Sequence, residues 1–316
     1  MKQFNMLWIF IGISILLAIA TPEFLTAENL LNITRQSAVI GLIAVGTTFV
    51  IIGGGFDISV GSLLALSSAI CISLQTQIPW PLAAVVTIGV GMIVGTINGL
   101  LSVKIGIPSI IATLAMMTIL RGTVYLFTGG YPVVYDHHGS WYPLIGQGSV
   151  AGIPVAAMVL LGSVIIAQWV LVKTRFGRYT CAIGGNKEAS RYSGIAVDFH
   201  QIATFVIGGA LAALAGVVYG SRLLSVSPLA GQGYELDAIA ATVIGGTSVS
   251  GGEGSVIRTL IGVLLLSIIG NVFNLLGLQV YIQYVIKGLI ILFAVGIDTW
   301  SKKQSESGYV AVSNRN

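Results

Sequence analysis

Long apolar runs separated by short polar segments make up almost the whole sequence. A run of about 20 apolar residues is long enough to cross the hydrocarbon core of a bilayer as a helix. The pattern predicts ten transmembrane helices, near residues 7–21, 37–52, 59–75, 80–103, 109–127, 153–172, 202–221, 236–244 and a little beyond, 256–276 and 281–300. We therefore expect an all-α membrane protein with one transmembrane domain over residues 1–300 and a polar, disordered tail over 301–316.

Composition supports a membrane protein and argues against other classes. The chain has 55% hydrophobic and 8% charged residues, with a mean hydropathy of +0.94, which is too apolar for a soluble domain of 316 residues. Its net charge of +4 does not favour nucleic acid as a partner, because the basic residues lie between apolar runs rather than in clusters. Cys71 and Cys181 offer neither a disulfide framework nor metal-ligand spacing.

Lysine and arginine predict the orientation of the ten helices. Only Arg35 and Arg222 fall in external loops when both termini and the loop after residue 172 are cytoplasmic. Cytoplasmic loops carry the excess of basic residues in membrane proteins, so this orientation is the expected one. The basic residues then predicted to be cytoplasmic are Lys2, Lys104, Lys173, Arg175, Arg178, Lys187, Arg191, Arg258, Lys302, Lys303 and Arg315.

Three segments leave alternatives open. Residues 18–20 mimic a signal-peptidase site, so the first helix is either retained or removed. The polar stretch 26–35 is expected to lie along the outer interface or to form a loop. In the outer loop 129–152, the aromatic residues suit an interfacial belt or a lid. That loop also contains Asp136, His137 and His138, but nothing completes a ligand set, and no metal site is expected.

The longest polar run, residues 173–201, predicts a short helix. Asn186 is a good N-cap, Glu188 falls in the first turn, and Gly194 can adopt the left-handed conformation that ends a helix. A helix of about two turns is marginal alone in water and needs a surface to pack on. Ala189, Tyr192 and Ile195 would give it a small apolar face, and an ordinary solvated loop is the alternative.

Two glycine-rich segments, 51–62 and 243–255, interrupt apolar runs at matching depths. Irregular backbone inside a membrane is tolerated only where protein buries it or water lines it, so such breaks often border a pathway. Asp57 either caps the helix that follows it or contacts a solute. The residues predicted to form a translocation path or gate are Gly53, Gly54, Phe56, Asp57, Ser59, Gly245 and Gly246.

Four charged residues are predicted to lie within the membrane. Arg121 and Lys287 fall inside apolar runs, and Glu235 and Asp237 fall at the start of the eighth predicted helix. An unpartnered charge at this depth would cost several kcal/mol. We therefore expect these opposite charges to pair across the helix bundle.

Four segments together resemble the signature segments of sugar permeases of ATP-binding-cassette importers, in the branch that contains the ribose permease. They read GGGFDISVGS, GRYTCAIGGNKEASRYSGI, GYELDAIAA and GGTSVSGGEGS, and the resemblance covers about residues 21–298. It implies a permease that dimerises in the bacterial inner membrane, binds cytoplasmic ATPase subunits and receives a monosaccharide from a soluble binding protein. Phe56 is a departure, because relatives usually have an aliphatic residue there.

The resemblance also implies roles for particular residues. Arg35 and Arg222 become candidates for docking the binding protein, or they face lipid phosphates. The chain has no GxxxxGK[ST] sequence, so ATP and Mg²⁺ are expected on the partner ATPase and no cofactor in this chain. The helix after Asn186 becomes the coupling helix that the ATPase grips, and the residues implied in coupling are Gly177, Arg178, Gly184, Gly185, Asn186, Glu188, Ala189, Arg191 and Gly194.

The predicted function is transport of a monosaccharide, with ribose expected, by alternating access driven by the separate ATPase. A secondary transporter driven by an ion gradient is the main alternative, with Asp57, Glu235 and Asp237 as proton or sodium carriers. A passive channel is a further alternative. No nucleophile with a plausible base supports a membrane enzyme. Whether the permease pairs with itself or with a sibling chain stays open.

Overall fold

In this computed structural model, the described residues are 22–136, 140–279, 281–290, 292, 293 and 296, and most of them are helical. The predicted first helix, the signal-peptidase-like site, His137, His138 and the predicted disordered tail lie outside this part of the chain. A 3-10 turn, Pro22–Leu25, precedes the first long helix.

Between residues 27 and 275, the described part of the chain forms eleven α-helices and four two-residue strands. The helices are α1 (Ala27–Ile52), α2 (Val60–Leu74), α3 (Trp80–Leu100), α4 (Ser109–Thr128), α5 (Pro143–Gln147), α6 (Val155–Lys173), α7 (Arg175–Gly185), α8 (Lys187–Tyr192), α9 (Val197–Leu223), α10 (Tyr234–Ile244) and α11 (Val256–Leu275). The strands are β1 (Val133–Val134), β2 (Ser149–Val150), β3 (Ile153–Pro154) and β4 (Ser225–Val226). Residues 281–290 are also helical.

Six helices of the described chain are long and apolar enough to cross a membrane. They are α1, α3 with its π-helical extension Leu101–Ile105, α4, α6, α9 and α11. The α2 helix is apolar but shorter, and α10 has 11 residues. The structure therefore shows a multi-pass helical protein, and the predicted count of ten transmembrane helices is not confirmed.

The α1 helix lies at the centre of the bundle and is buried along nearly all of its membrane-crossing length. It packs against α6, α9, α10 and α11. The expectation that residues 26–35 form an interfacial segment or a loop is wrong, because these residues are the first turns of α1. Several of their polar groups are paired: the Thr26 hydroxyl caps the helix, and the amides of Asn29 and Asn271 exchange hydrogen bonds of 3.0 and 2.7 Å.

Glycines let α3 approach α9 closely. A Cβ atom on Gly91 would overlap the Gly209 carbonyl, and a Cβ on Gly95 would overlap the Phe205 carbonyl. The side-chain-free surfaces of these glycines allow backbone-to-backbone contact, as in other tightly packed membrane helices. This contact fixes α9 against the rest of the bundle.

The predicted outer loop is largely folded around Tyr142. That side chain is fully buried, and its hydroxyl donates a 3.0 Å hydrogen bond to the Val217 carbonyl. Antiparallel pairs join β1 to β4 and β2 to β3. Tyr131 and Trp141 are exposed, as an interfacial belt requires, whereas Tyr142 belongs to the core.

Candidate functional site

The two ends of the bundle carry different candidate sites. We call the end that holds α7 and α8 the α8 end, and the opposite end, which holds Arg35 and Arg222, the Arg35 end. The polar run 173–201 lies at the α8 end and forms two helices rather than the single one predicted. The additional helix, α7, begins after Thr174, whose hydroxyl accepts a hydrogen bond from the Gly177 N–H.

The α8 helix has the boundaries that the sequence predicts. The Asn186 side chain accepts a 2.9 Å hydrogen bond from the Ala189 N–H, and Gly194 has a φ of +79° just beyond the last turn. Ser190 is its one buried residue, and the Tyr192 side chain is 89% exposed. The rest of the described chain therefore does not cover the apolar face of α8.

Asp198, which the sequence analysis missed, ties α8 to the bundle. Its carboxylate lies 2.7 Å from Lys104 Nζ at the end of the α3 extension and 3.2 Å from Arg191 of α8. These pairs are exposed, so each contributes only about 0–1 kcal/mol. Their role is to orient a short helix rather than to hold it tightly.

The first glycine break, between α1 and α2, is a packed junction. Asp57 is 1% exposed, and its Oδ1 accepts hydrogen bonds from the Ser59 N–H at 2.8 Å and the Ser59 hydroxyl at 2.6 Å. The Asn98 amide of α3 donates to Ser59 Oγ at 2.9 Å and to Asp57 Oδ2 at 3.3 Å. These contacts match the capping interpretation of Asp57, and Asn98 is a partner that the sequence analysis missed.

Hydroxyl groups of α4 satisfy the irregular backbone of this break. The Phe56 N–H donates to Ser109 Oγ at 3.0 Å, and the Ile58 N–H donates to Thr113 Oγ1 at 3.1 Å. From α9, the Gln201 amide donates to the Gly53 carbonyl at 3.0 Å. Unpaired amides would be costly at this depth, so these side chains are what make a break possible here.

The second glycine break, between α10 and α11, depends on a residue from a third helix. The Gln168 side chain of α6 accepts hydrogen bonds from the Val256 and Ile257 N–H groups at 3.0 and 3.3 Å, at the start of α11. A Cβ atom on Gly245 would crowd the backbone of Arg258 and Thr259. Gly246 has a φ of +79°, which favours glycine at the turn.

Three glycine segments that are far apart in sequence meet at the α8 end. The Gly252 N–H of the second break donates a 2.9 Å hydrogen bond to the Ile52 carbonyl, where α1 ends at the first break. Gly184 of α7 lies against both groups, and a Cβ atom there would overlap the Ile52 oxygen and crowd the Gly252 nitrogen. We call Ile52, Gly184 and Gly252 the glycine node. It joins both breaks to the helix that leads into α8.

The four membrane charges pair only in part as predicted. Lys287 Nζ lies 2.8 Å from Asp237 Oδ2. Arg121 does not form the expected ion pair: its guanidinium donates to the carbonyls of Pro228 and Ala230. Glu235 instead accepts a 3.1 Å hydrogen bond from the Gly233 N–H. Carbonyl groups of the irregular segment before α10 therefore replace a carboxylate as partners of Arg121.

Arg35 and Arg222 come together at the Arg35 end, on either side of Gln147. The Arg35 guanidinium donates to the Gln147 carbonyl at 3.1 Å, and the Gln147 amide donates to the Arg222 carbonyl at 3.0 Å. Among the described residues, neither arginine lies within 4 Å of a carboxylate, and the buried Arg35 Nε has no hydrogen-bond partner. This pair of cations is suited to an external anion.

The described residues provide little for metal or thiol chemistry. Among them, no group of three His, Cys, Asp or Glu side chains lies close enough to hold a metal ion. Burial raises the pKa of the Cys181 thiol in α7, so the thiol stays protonated at neutral pH. The distinctive features are instead the exposed α8 helix, the glycine node and the two arginines.

Comparisons with known proteins show which family the chain resembles. The profile of a family described as "Branched-chain amino acid transport system / permease component" matches residues 29–295. The chain is 45% identical over 293 residues to the ribose import permease protein RbsC of Bacillus subtilis, covering 92% of this chain and 91% of that protein. It is 43% identical to RbsC of Haemophilus influenzae, covering 92% of each. It is 36% identical to the L-arabinose transport system permease protein AraH of Escherichia coli, covering 95% and 92%. No solved structure matches significantly.

The glycine node predicts opposite outcomes for two neighbouring substitutions. Gly184→Ala should push α7 away from Ile52 and break the hydrogen bond from Gly252, whereas Gly185→Ala meets no atom within 4 Å. Hydrogen exchange of a peptide covering 248–253 should be at least about tenfold faster in Gly184→Ala, because the Gly252 amide loses its acceptor. Gly185→Ala should exchange like the wild type. Equal exchange in both variants would contradict the node.

Proposed function

Since the chain belongs to the permease family described as the branched-chain amino acid transport system permease component, we propose that it moves a monosaccharide across the bacterial inner membrane as the permease of an ATP-binding-cassette importer. The sugar passes without chemical change. The observation that carries the proposal is α8, a two-turn helix whose apolar face the described chain leaves uncovered. Such a helix needs a partner surface, and an ATPase subunit provides one.

We propose ribose as the sugar. The relatives named as ribose permeases are 41–45% identical to this chain, whereas those named for D-allose and L-arabinose are 39% and 36% identical. All of them match over most of their length. The order of identity thus favours ribose over the other two sugars.

The coupling residues proposed from the sequence surround α8 and the glycine node. Asn186 and Gly194 set the ends of α8, Arg191 orients it through Asp198, and Glu188, Ala189 and Arg178 lie on the surface available to the ATPase. ATP and Mg²⁺ belong to that partner. When the ATPase closes, α8 and α7 move together, and Gly184 passes the movement to both breaks.

We propose that the breaks act as a gate rather than as a sugar-binding surface. The first break is packed against α3, α4 and α9, and its one carboxylate, Asp57, is buried and hydrogen-bonded within the chain. The second break turns at Gly245 and Gly246. Both can change shape at residues without side chains while the flanking helices move as rigid bodies.

The same contacts count against transport driven by an ion gradient. That mechanism requires a carboxylate that is free to take up a proton or sodium ion during the cycle. Asp237 is neutralised by Lys287, Asp57 is committed to Ser59 and Asn98, and Glu235 accepts from Gly233. An external ATPase therefore accounts for the energy source better than these three residues do.

The orientation follows from the ATPase partner. The α8 end is cytoplasmic, both termini lie on that side, and the Arg35 end faces the periplasm or exterior. There Arg35 and Arg222 bind carboxylates of the sugar-binding protein. Two neighbouring cations that have no carboxylate partner among the described residues are stabilised by added negative charge. We propose two copies of this chain per transporter.

Reconstitution tests the transport function directly. Purified permease, its ATPase and its sugar-binding protein in proteoliposomes should accumulate radiolabelled ribose only when ATP is supplied. A proton or sodium ionophore should leave the uptake unchanged, because no ion gradient drives it. Uptake without ATP that an ionophore abolishes would establish the secondary transporter instead, and equilibration without accumulation would establish a channel.

Reversing one charge on α8 should uncouple the ATPase from transport. In Glu188→Lys, we expect sugar uptake to fall at least about tenfold while the permease stays inserted and the ATPase still hydrolyses ATP, because the docking surface is altered. Gly185→Pro should act similarly by changing the approach to α8. Glu28→Lys makes the same charge change at an exposed residue in the first turn of α1, outside α8 and both breaks, and should transport normally. Normal uptake by Glu188→Lys would count against coupling through α8.

Charge reversal at the Arg35 end should weaken docking of the binding protein. Arg222→Glu and Arg35→Glu should each raise the Kd for the sugar-loaded binding protein at least about tenfold in low salt, with a smaller effect in high salt. Lys104→Glu, at the opposite end, is the matched control and should leave this Kd unchanged. The Kd can be measured on permease in nanodiscs. An unchanged Kd in both arginine variants would favour lipid phosphates as their partners.

A further inference from the structure

The segment between α9 and α10 re-enters the membrane region as irregular backbone. After α9 ends, β4 pairs with β1 at the Arg35 end, and no helix begins until Tyr234. Arg121 of α4 fixes the depth of the segment, because its guanidinium donates to the carbonyls of Pro228 and Ala230. Arg121 is twelve residues from the start of α4 at Ser109, or about 18 Å along a helix that rises 1.5 Å per residue. Residues 227–233, here called the re-entrant segment, thus reach the middle third of the bilayer.

Three residues of the re-entrant segment are exposed at this depth. They are Ser227, Leu229, which is 54% exposed, and Gln232. The Gln232 side-chain amide forms no hydrogen bond to another described residue. In hydrocarbon, exposed irregular backbone and a free amide would each cost several kcal/mol, and such backbone occurs only inside protein or beside a water-filled cavity. The exposed side of the re-entrant segment therefore does not face lipid.

Two charged residues contact the re-entrant segment and hold it in place, rather than extending from its exposed side. Arg121 binds it from α4, and Glu235 accepts the Gly233 N–H at 3.1 Å while its other carboxylate oxygen lies against Gly61 of α2. Next to Arg121 on the same face of α4 stand two exposed residues, Thr118 and Tyr125, three and four positions away. The face of α4 that binds the segment thus carries a hydroxyl and a phenol, and the segment itself carries the exposed amide of Gln232.

We propose that the re-entrant segment and the adjoining face of α4 line the aqueous translocation path, and that Gln232 hydrogen-bonds the passing monosaccharide. This inference rests on the proposed transport function and identifies the part of the chain that contacts the sugar. A primary amide both donates and accepts, which suits the hydroxyl groups of a neutral sugar. Tyr125 adds an aromatic ring, against which one C–H face of a sugar ring can pack, and a phenol that can hydrogen-bond a hydroxyl group. No ionised group is needed in contact with the sugar.

Thiol accessibility separates an aqueous wall from a lipid-facing one. In a Cys71→Ala, Cys181→Ser background that still inserts, Gln232→Cys should react with a charged, membrane-impermeant methanethiosulfonate reagent at least about tenfold faster than Ile119→Cys. Ile119 is also exposed but lies about 160° around α4 from Arg121, towards lipid. Equal reaction rates at the two cysteines would overturn the proposal.

Transport by conservative and apolar variants tests the contact with sugar. In the ATP-driven proteoliposome assay, Gln232→Leu should lower ribose uptake at least about tenfold, and Gln232→Asn should retain most of it. Gln77→Leu, an exposed glutamine beyond the end of α2, should behave like the wild type. The amount of inserted protein and its thermal midpoint in detergent exclude misfolding as the cause.

The outcomes distinguish this inference from the proposed function. A wild-type complex that imports no sugar, together with fast labelling of Gln232→Cys, would overturn the function and leave the aqueous wall standing. A wild-type complex that imports ribose, together with unimpaired uptake by Gln232→Leu, would overturn the role of Gln232. Slow labelling of Gln232→Cys would overturn the aqueous wall whatever the sugar.

Discussion

The hydrogen bond from the Gly252 N–H to the Ile52 carbonyl, with Gly184 against it, is the constraint on which the rest of the α8 end depends. It joins the end of α1, the loop before α11 and the end of α7, which are far apart in sequence. Any side chain larger than hydrogen at Gly184 would separate these three elements. The contact is backbone to backbone, so the end of α7, which leads into α8, lies against both glycine breaks at one point.

Side chains from neighbouring helices satisfy the backbone wherever a helix is interrupted. Ser109 and Thr113 do so at the first break, Gln168 at the second, and Arg121 at the re-entrant segment. Where water does not reach, an interruption depends on a particular polar residue inside an otherwise apolar helix. Most of the first break is buried, whereas Ser227, Leu229 and Gln232 of the re-entrant segment are exposed.

The sequence predicted those parts of the structure that depend on residues close to one another along the chain. The ends of α8 follow from Asn186 and Gly194, whose effects act within one turn. The sequence did not reveal Asn98, Gln168 or Asp198 as partners, because each contacts an element distant in sequence. The expected ion pair of Arg121 was wrong for a related reason. Its acceptors are main-chain carbonyls, which every residue has, so the residue types in the sequence do not identify them. The polarity of residues 26–35 favoured an interfacial segment or a loop, because the sequence does not show that Asn29 pairs with Asn271.

The burial of α1 has a consequence for how the chain is made. This helix leaves the ribosome early, yet the surfaces that enclose it belong to α6, α9, α10 and α11, which are synthesised later. Until then its serine, three threonines and two glycines face either lipid or the insertion machinery. The α1 helix therefore waits for its partners during biogenesis, and the native bundle closes only after α11 has been synthesised.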